Sequence, residues 1–304
     1  MSANPDVIEK IHRLRNERNA IILAHNYQLG EVQDIADFAG DSLELSQKAA
    51  ETDADVIVFC GVHFMAETAS ILCPEKKVLL PDINSGCLMA NMITAEQLRN
   101  MKAEHPDATV ICYVNSTAEV KAESDICCTS ANGPAIVANV PAGQEIIFVP
   151  DRHLGDYSAK KANREVILWD GFCPSHVRIL PEDITRLRKE NPGAKVVVHP
   201  ECTAEVIKLA DEVGSTSGIL RYAVRDDVQE LIVGTEIGII HRLRKENPGK
   251  KFIPISEQAI CPDMKLITLE KVLRSLEDLS PEVKVPEDIR LKAKASVDRM
   301  LEAS

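Results

Sequence analysis

The stretch AIILAHNYQLGEVQDIADFAGDS, residues 20–42, decides the fold because its pattern occurs three times in the chain. It begins with an apolar run, continues through polar turn residues into an amphipathic segment, and ends in serine. The same order recurs in ATVICYVNSTAEVKAESDICCTS at 108–130 and in AKVVVHPECTAEVIKLADEVGST at 194–216. The sequence therefore predicts three related units.

The sequence around each copy recurs as well. A segment of helical character with basic residues near its end precedes each copy, and RLRKENPG stands both at 186–193 and at 242–249. A second apolar run, a helical stretch and a third apolar run follow each copy. Short apolar strands that alternate with helices are typical of a parallel sheet covered on both faces. We predict an α/β fold of three homologous parallel-sheet αβα units, arranged with pseudo-threefold symmetry around a central site.

The repeat also sets the predicted domain boundaries. The first unit is expected at 1–91, the second at 92–179 and the third at 180–262. Residues 263–304, which are rich in Leu, Val, Lys and Glu, are expected to form a C-terminal helical tail that packs back on the first unit.

Composition restricts the classes of function. The chain has 304 residues, a net charge of −12 and only 4% aromatic residues, which makes nucleic acid and anionic membranes poor partners. The N-terminus is charged throughout and lacks the apolar core of a signal peptide. No apolar run is long enough for a membrane span. We therefore expect a cytoplasmic protein. An odd number of cysteines, nine, in a reducing compartment argues against a disulfide framework.

Three of the cysteines recur with the period of the repeat. Cys87 and Cys173 are 86 residues apart, and Cys173 and Cys261 are 88 apart. The spacing leaves two interpretations open: packed core thiols inherited from a triplicated domain, or ligands that converge on one metal centre. A structural zinc normally takes four protein ligands, whereas a [4Fe–4S] cluster with three cysteines keeps one iron open. The other six cysteines are interpreted as structural thiols, and a zinc pair of His199 with Cys202 has only weak support.

Polar residues recur where the first strand of each unit ends. His25, Tyr113 and His199 are equivalent, and Tyr27, Asn115 and Glu201 each follow two residues later. Ligands of open parallel sheets bind beyond the carboxyl ends of the strands. Ser42, Ser130 and Thr216 are expected to be N-caps at helix starts, where hydroxyl and amide groups bind carboxylate or phosphate. The pattern predicts a donor-rich cavity for a small anion.

A set of motifs runs through essentially the whole chain: LAHNYQ (23–28), GDSLELS (40–46), YVNSTAE (113–119), CTSAN (128–132), GFCPSH (171–176), VHPEC (198–202), GST (214–216), GTEIG (234–238) and the isolated Cys261. Together they closely resemble the bacterial quinolinate synthases, the iron–sulfur type A family.

The resemblance implies a fold, a cofactor and a reaction. It implies a triplicated α/β fold with one [4Fe–4S] cluster per chain, held by Cys87, Cys173 and Cys261. The reaction it implies is condensation of iminoaspartate with dihydroxyacetone phosphate to quinolinate, with loss of phosphate and water, in NAD biosynthesis. A transient contact with L-aspartate oxidase is a further expectation. ICPDMK at 260–265 contains only Cys261, so the redox-switching Cys-x-x-Cys-x-x-Cys run of some family members is not expected.

The resemblance also implies site residues. It implies an acid–base role for Tyr27. His199 and Glu201 are expected to be acid–base groups as well, since the pKa of each could shift in a closed pocket. The expected substrate pocket contains these residues: His25, Ser42, Tyr113, Val114, Asn115, Ser130, His176, His199, Pro200, Glu201, Ser215 and Thr216. Two rival functions are another iron–sulfur hydro-lyase with aconitase-type chemistry and a zinc-stabilised binding protein.

Overall fold

The computed structural model describes residues 5–303. Within this range the strands form three four-stranded sheets in which every pairing is parallel. The first sheet has the order β2-β1-β3-β4, the second β6-β5-β7-β8 and the third β10-β9-β11-β12. Their bounds are β1 Ala20–His25, β2 Phe38–Gly40, β3 Val56–Cys60, β4 Lys77–Leu79, β5 Thr109–Tyr113, β6 Ile126–Cys128, β7 Ile146–Val149, β8 Ile167–Leu168, β9 Lys195–Val198, β10 Glu212–Val213, β11 Glu230–Gly234 and β12 Lys251–Pro254.

Helices connect successive strands, and two further helices follow the last strand. Their bounds are α1 Pro5–Glu17, α2 Gly30–Ile35, α3 Ser42–Glu51, α4 His63–Leu72, α5 Ala95–Glu104, α6 Ala118–Ala122, α7 Gly133–Asn139, α8 Arg152–Ala162, α9 Pro181–Glu190, α10 Ala204–Ile207, α11 Thr216–Ala223, α12 Ile239–Glu246, α13 Leu269–Asp278 and α14 Glu287–Glu302. Two 3₁₀ turns lie at Ala90–Met92 and Asp263–Leu266. The predicted fold class, three homologous αβα units, is confirmed.

The repeated apolar runs form the two inner strands of each sheet. β3 and β7 are buried along their whole length, and β1, β5, β9 and β11 are buried at all but their first one or two residues. A strand covered on both faces carries apolar side chains at consecutive positions rather than alternate ones. This is why these runs are continuous in the sequence and could be recognised there.

The short edge strands β2, β6 and β10 were not predicted. Each has two or three residues and pairs with the first inner strand of its sheet, β1, β5 or β9. This part of each repeat copy was interpreted as one helical segment, but the helix ends before the edge strand begins. A strand this short shows no period of its own, so the pattern of the preceding helix conceals it.

The duplicated RLRKENPG closes two helices in the same way. α9 and α12 both end at the Glu of this motif, and the following Asn191 and Asn247 are their C-caps. Each asparagine side chain donates to a backbone carbonyl of the last turn, that of Leu187 at 3.1 Å and that of Leu243 at 3.2 Å. The motif is therefore a helix stop that leads into β9 and β12.

The N-cap prediction for Ser42, Ser130 and Thr216 was wrong. Ser42 and Thr216 are the first residues inside α3 and α11, while Ser130 precedes α7 by three residues. The caps lie one residue earlier in two cases. Asp41 accepts the N–H groups of Leu43 and Glu44, both at 3.0 Å, and Ser215 accepts that of Gly218 at 3.2 Å. The hydroxyls of Ser42, Ser130 and Thr216 therefore do not cap these helices and are available for other contacts.

The C-terminal helices contact two units. α13 packs against α1 and β3 of the first sheet, whereas α14 packs against α6 and β6 of the second sheet and against α4. The Ser296 hydroxyl in α14 donates to the Lys121 carbonyl in α6 at 2.9 Å. The residue numbers at which one unit gives way to the next stay a prediction. No helix within residues 5–303 is both long enough and apolar enough to cross a bilayer.

Candidate active site at the junction of the three units

One cavity is lined by residues that end or follow the central strands of all three sheets. Thirteen of the sixteen predicted site residues line it, although they come from positions far apart in the chain. They are His25, Tyr27, Ser42, Cys87, Tyr113, Asn115, Ser130, Cys173, His176, His199, Glu201, Thr216 and Cys261. The convergence follows from the parallel topology, which directs the carboxyl ends of β1, β5 and β9 to this cavity.

Three predicted pocket residues do not line the cavity. The backbone N–H of Val114 donates to the Cys128 carbonyl at 2.9 Å, and Pro200 is buried. Ser215 lines a neighbouring cleft together with Ser130 and Arg221. Its hydroxyl contacts the Asp41 carboxylate at 3.2 Å, so it joins the starts of α11 and α3.

His25 and His199 share one local geometry, as their equivalent repeat positions require. In each, Nδ1 accepts the backbone N–H of the residue two positions later, from Tyr27 at 3.2 Å and from Glu201 at 3.3 Å. An accepting Nδ1 leaves the proton of a neutral imidazole on Nε2. Burial lowers the pKa of both histidines to about 3. Both are therefore neutral Nε2–H donors on the cavity wall.

Glu201 lies at the centre of the polar network. Its Oε1 accepts the Tyr113 hydroxyl at 2.6 Å, and its Oε2 lies 2.7 Å from Nδ1 of His176. Burial raises the pKa of a carboxyl, but the neighbouring His176 imidazole and the Tyr113 hydroxyl hold the pKa of Glu201 below its usual range. Glu201 is thus a fully buried carboxylate that stays ionised.

Tyr27 faces the same network from the first unit. Its hydroxyl contacts Thr235 Oγ1 and lies 3.5 Å from Nε2 of His176. Burial, followed by the nearby charge of Glu201, raises the pKa of Tyr27 well above its usual value. The phenol therefore keeps its proton and can donate it.

The three repeat-equivalent cysteines are half-buried free thiols on the cavity wall. Burial raises the pKa of Cys87 to about 12 and that of Cys261 to about 11, and it raises the pKa of Cys173 well above its usual value. Because metal ligands must be thiolates, binding of a metal group here would release protons.

Two donor sets at this cavity could hold metal. Among the described residues, one compact set of three possible metal ligands is formed by Cys173, His176 and Glu201. One ligand atom of each, a sulfur, a ring nitrogen and a carboxylate oxygen, lies within 4.8 Å of the other two. The sulfurs of Cys87, Cys173 and Cys261 do not all lie within 4.8 Å of one another. Tetrahedral zinc with Zn–S bonds of about 2.3 Å would hold them only about 3.8 Å apart. The wider cysteine set fits a larger group.

Several residues of the site were not predicted. Asp41, Thr235 and Glu236 contact predicted residues, and Lys265 and Asp151 support the loops around them. Thr235 and Glu236 lie within the quoted motif GTEIG, which was assigned no role. Asp151 and Glu236 follow β7 and β11 at equivalent distances, so the repeat period could have identified them.

Fold and site together define a class of protein: an α/β protein of three related units with a polar cavity at their junction and one cysteine from each unit on its wall. The model of the family described as quinolinate synthetase A protein matches residues 9–302.

Curated relatives match almost the whole chain. A quinolinate synthase of Dehalococcoides mccartyi is 61% identical over 295 residues, which cover 97% of both chains. Those of Thermodesulfovibrio yellowstonii and Methanosarcina barkeri are 56% and 52% identical, again over 97% of both chains. The chain belongs to the quinolinate synthetase A family. The predicted family is therefore confirmed, and so is the prediction that the protein is an enzyme.

Proposed function

We propose that this enzyme is a quinolinate synthase that condenses iminoaspartate with dihydroxyacetone phosphate and releases phosphate and water, in NAD biosynthesis. The observation that carries the proposal is the convergence of Cys87, Cys173 and Cys261, one from each unit, on a cavity with neutral histidine donors. The names of relatives at 52–61% identity support it.

The donor chemistry of the cavity fits a [4Fe–4S] cluster held by the three cysteines, one cluster per chain. Three thiols supply one ligand fewer than the irons need, and they are spread more widely than a single zinc requires. When bound, such a cluster supplies a Lewis-acidic open iron that makes a hydroxyl a better leaving group.

The remaining cavity wall suits small dianions. The Nε2–H groups of His25 and His199 and the hydroxyls of Ser42, Ser130 and Thr216 are donors for carboxylate and phosphate oxygens. Oδ1 of Asn115 is buried and makes no hydrogen bond within the described part of the chain, as expected for an atom kept for a ligand. Neutral donors bind anions without the cost of another buried charge.

The protonation states divide the acid–base work. Tyr27 holds its proton at Oη and is the donor to departing oxygen, with Thr235 as its close hydrogen-bond partner and His176 at 3.5 Å. Glu201 is ionised and takes part through its contacts with Tyr113 and His176, which it orients in the cavity. His199 cannot act as a base through Nδ1, which already accepts a backbone N–H. It acts as a donor through Nε2, which lies 3.2 Å from Ser130 Oγ.

The test is anaerobic purification followed by metal and product analysis. We expect a brown protein with iron and sulfide that forms quinolinate only when both substrates are present. A Cys87→Ala variant should fold but lack iron and activity, while Cys73→Ala should retain both because Cys73 is buried away from the cavity and contacts the Ala49 carbonyl.

The outcomes separate the rival functions. Turnover of one substrate without dihydroxyacetone phosphate would support an aconitase-type hydro-lyase. A colourless protein with stoichiometric zinc, bound by Cys173, His176 and Glu201, would support the binding protein. Quinolinate formation by Cys87→Ala would refute the cluster. The contact with L-aspartate oxidase and the cytoplasmic location belong to the same proposal.

A further inference from the structure

The two carboxylates that follow β7 and β11 occupy the same place in the repeat. β1, β5 and β9 pair with β3, β7 and β11 in equivalent register, so that Cys60, Val149 and Gly234 correspond. Two residues beyond each of them stand Val62, Asp151 and Glu236. The second and third units therefore carry an acid at a position where the first unit carries valine.

Glu236 holds the loop of Cys261 through the backbone. The carboxylate is fully buried, and its Oε1 accepts the N–H of Cys261 at 3.1 Å. Its Oε2 accepts the N–H of Gly238 at 2.7 Å. Lys265 completes the set, with Nζ at 2.9 Å from Oε1. Because Nζ of Lys265 also lies 3.2 Å from Oε2, each carboxylate oxygen has a charged and a backbone donor, as a buried carboxylate requires.

Lys265 connects this loop with the first unit. Its Nζ also donates to the backbone carbonyl of Tyr27. Gly238 is needed at this contact, because a Cβ there would lie 2.6 Å from the same carbonyl oxygen. The Glu236–Lys265 pair thus ties the backbone of Cys261 to that of Tyr27, which lie in different units.

Asp151 lies beside the loop of Cys173 and contacts it through the backbone. It is fully buried, and its Oδ1 accepts the N–H groups of His153 and Leu154 at 2.8 Å each, while its Oδ2 makes no hydrogen bond within the described residues. The backbone adds a bridge between Asp151 and Gly171, with the Arg152 N–H donating to the Gly171 carbonyl at 2.9 Å.

The first unit supports its cysteine loop differently. The side chain of Val62 has no acceptor. The hydroxyl of Ser85 lies 2.7 Å from the Gly61 carbonyl and 2.8 Å from the Asp263 carbonyl, and its single proton is shared between them. The carbonyl of Ser85 accepts the His63 N–H at 2.7 Å. A hydroxyl two residues before Cys87 thus supports the first loop, as the Glu236 carboxylate supports the loop of Cys261.

We propose that Glu236 is a positioning residue that fixes the backbone of Cys261 so that its sulfur meets the group bound at the junction. The inference rests on the proposed function, since it needs the cysteines to be ligands. Hydrogen-bond partners behind metal ligands orient those ligands, and their loss typically costs roughly 10–100-fold in metal affinity.

The experiment compares iron retention in matched variants. Glu236→Gln keeps an oxygen acceptor for the Cys261 N–H, whereas Glu236→Leu removes it. The double variant Glu236→Leu/Lys265→Met also removes the lysine charge that the single change leaves unpaired. Glu67→Leu is the matched control, because Glu67 is another buried glutamate that accepts a backbone N–H, from Ala118 at 3.2 Å, and lies near a buried lysine.

The readouts are iron per chain, the rate of iron loss to a chelator, the electron paramagnetic resonance spectrum of the reduced protein, and the melting temperature of the iron-free protein. We expect Glu236→Leu and the double variant to lose iron at least about tenfold faster than wild type. Glu236→Gln should stay within about threefold, a rescue that follows from the retained acceptor.

The outcomes distinguish failure of the proposed function from failure of the positioning role. Wild-type protein that binds no iron refutes the proposed function. Wild-type protein that binds iron, together with a double variant that folds and retains iron and spectrum unchanged, refutes the positioning role. Equal iron loss in Glu67→Leu would also refute it, because the effect would then come from any buried glutamate.

Discussion

At the scale of single residues, the site is defined by protonation states that burial imposes. His25 and His199 each direct Nδ1 to a backbone N–H and stay neutral, so Nε2–H is the group available to a ligand. Glu201 stays ionised and Tyr27 stays protonated in the same cavity. Donors and acceptors for proton transfer are thereby separated before substrate binds.

The neutral state of His25 predicts how stability depends on pH. Its pKa is about 3 in the folded chain and 6.5 when exposed, so below pH 6.5 the unfolded chain takes up a proton that the folded chain does not. Stability therefore falls as pH falls from 6.5 towards 3, by about 1.4 kcal/mol per unit for this group.

His25→Asn removes this contribution while keeping an acceptor for the Tyr27 N–H. Urea unfolding of the iron-free protein at pH 7 and pH 5 should show a loss of stability smaller by about 2 kcal/mol in the variant than in wild type. Parallel losses in both proteins would contradict the neutral histidine.

The proton on Tyr27 predicts a selective kinetic effect. Tyr27→Phe keeps the ring and removes the donor, so kcat should fall by about 10²-fold or more while KM changes little. Steady-state kinetics of quinolinate formation with anaerobic enzyme measure this. Tyr157→Phe is the control, since Tyr157 lines only the neighbouring cleft. An unchanged kcat in Tyr27→Phe would remove Tyr27 from the acid role.

At the scale of elements, the loops after the strands carry the chemistry and depend on close backbone contacts. Gly171, two residues before Cys173, has no room for a side chain, because a Cβ would lie 2.3 Å from the Pro150 carbonyl oxygen. The bridge between Gly171 and Asp151 requires this approach. The position of Cys173 therefore depends on Gly171, although Gly171 does not line the cavity.

Gly171→Ala should shift the Cys173 loop away from Pro150. We expect a loss of about 1–3 kcal/mol in unfolding free energy from the overpacked contact, together with reduced iron content. Gly193→Ala is the matched control, because a Cβ at Gly193 meets nothing within 4 Å. Chemical unfolding and iron analysis of both variants measure the difference, and equal behaviour of the two would contradict the steric argument.

The same elements show what the sequence could predict. The inner strands and the threefold spacing of Cys87, Cys173 and Cys261 were visible because each repeats over a long, regular pattern. The strands β2, β6 and β10 were missed because two or three residues carry no period. Asp41 was missed as the cap of α3 because the aligned serine lies one residue later, and only the side-chain contacts distinguish the two positions.

At the scale of the whole molecule, the contacts that build the site also join the units. Asn26 donates to Thr216 at 2.8 Å between the first and third units, and Tyr113 donates to Glu201 at 2.6 Å between the second and third. The three cysteines come from all three units. A group bound by all of them would therefore act as a cross-link between units as well as a cofactor.

This cross-link predicts a coupling between cofactor and stability. A ligand that binds only the assembled junction stabilises the folded chain by mass action, so the iron-loaded protein should melt several degrees above the iron-free protein. Each kcal/mol corresponds to a shift of roughly 2–4 °C in a chain of this order of size. Anaerobic scanning calorimetry of both forms measures the shift. Cys87→Ala, which disconnects the first unit, should melt like the iron-free protein whether or not iron and sulfide are supplied. Equal melting temperatures for loaded and iron-free wild type would show that the three units are held together by their protein contacts alone.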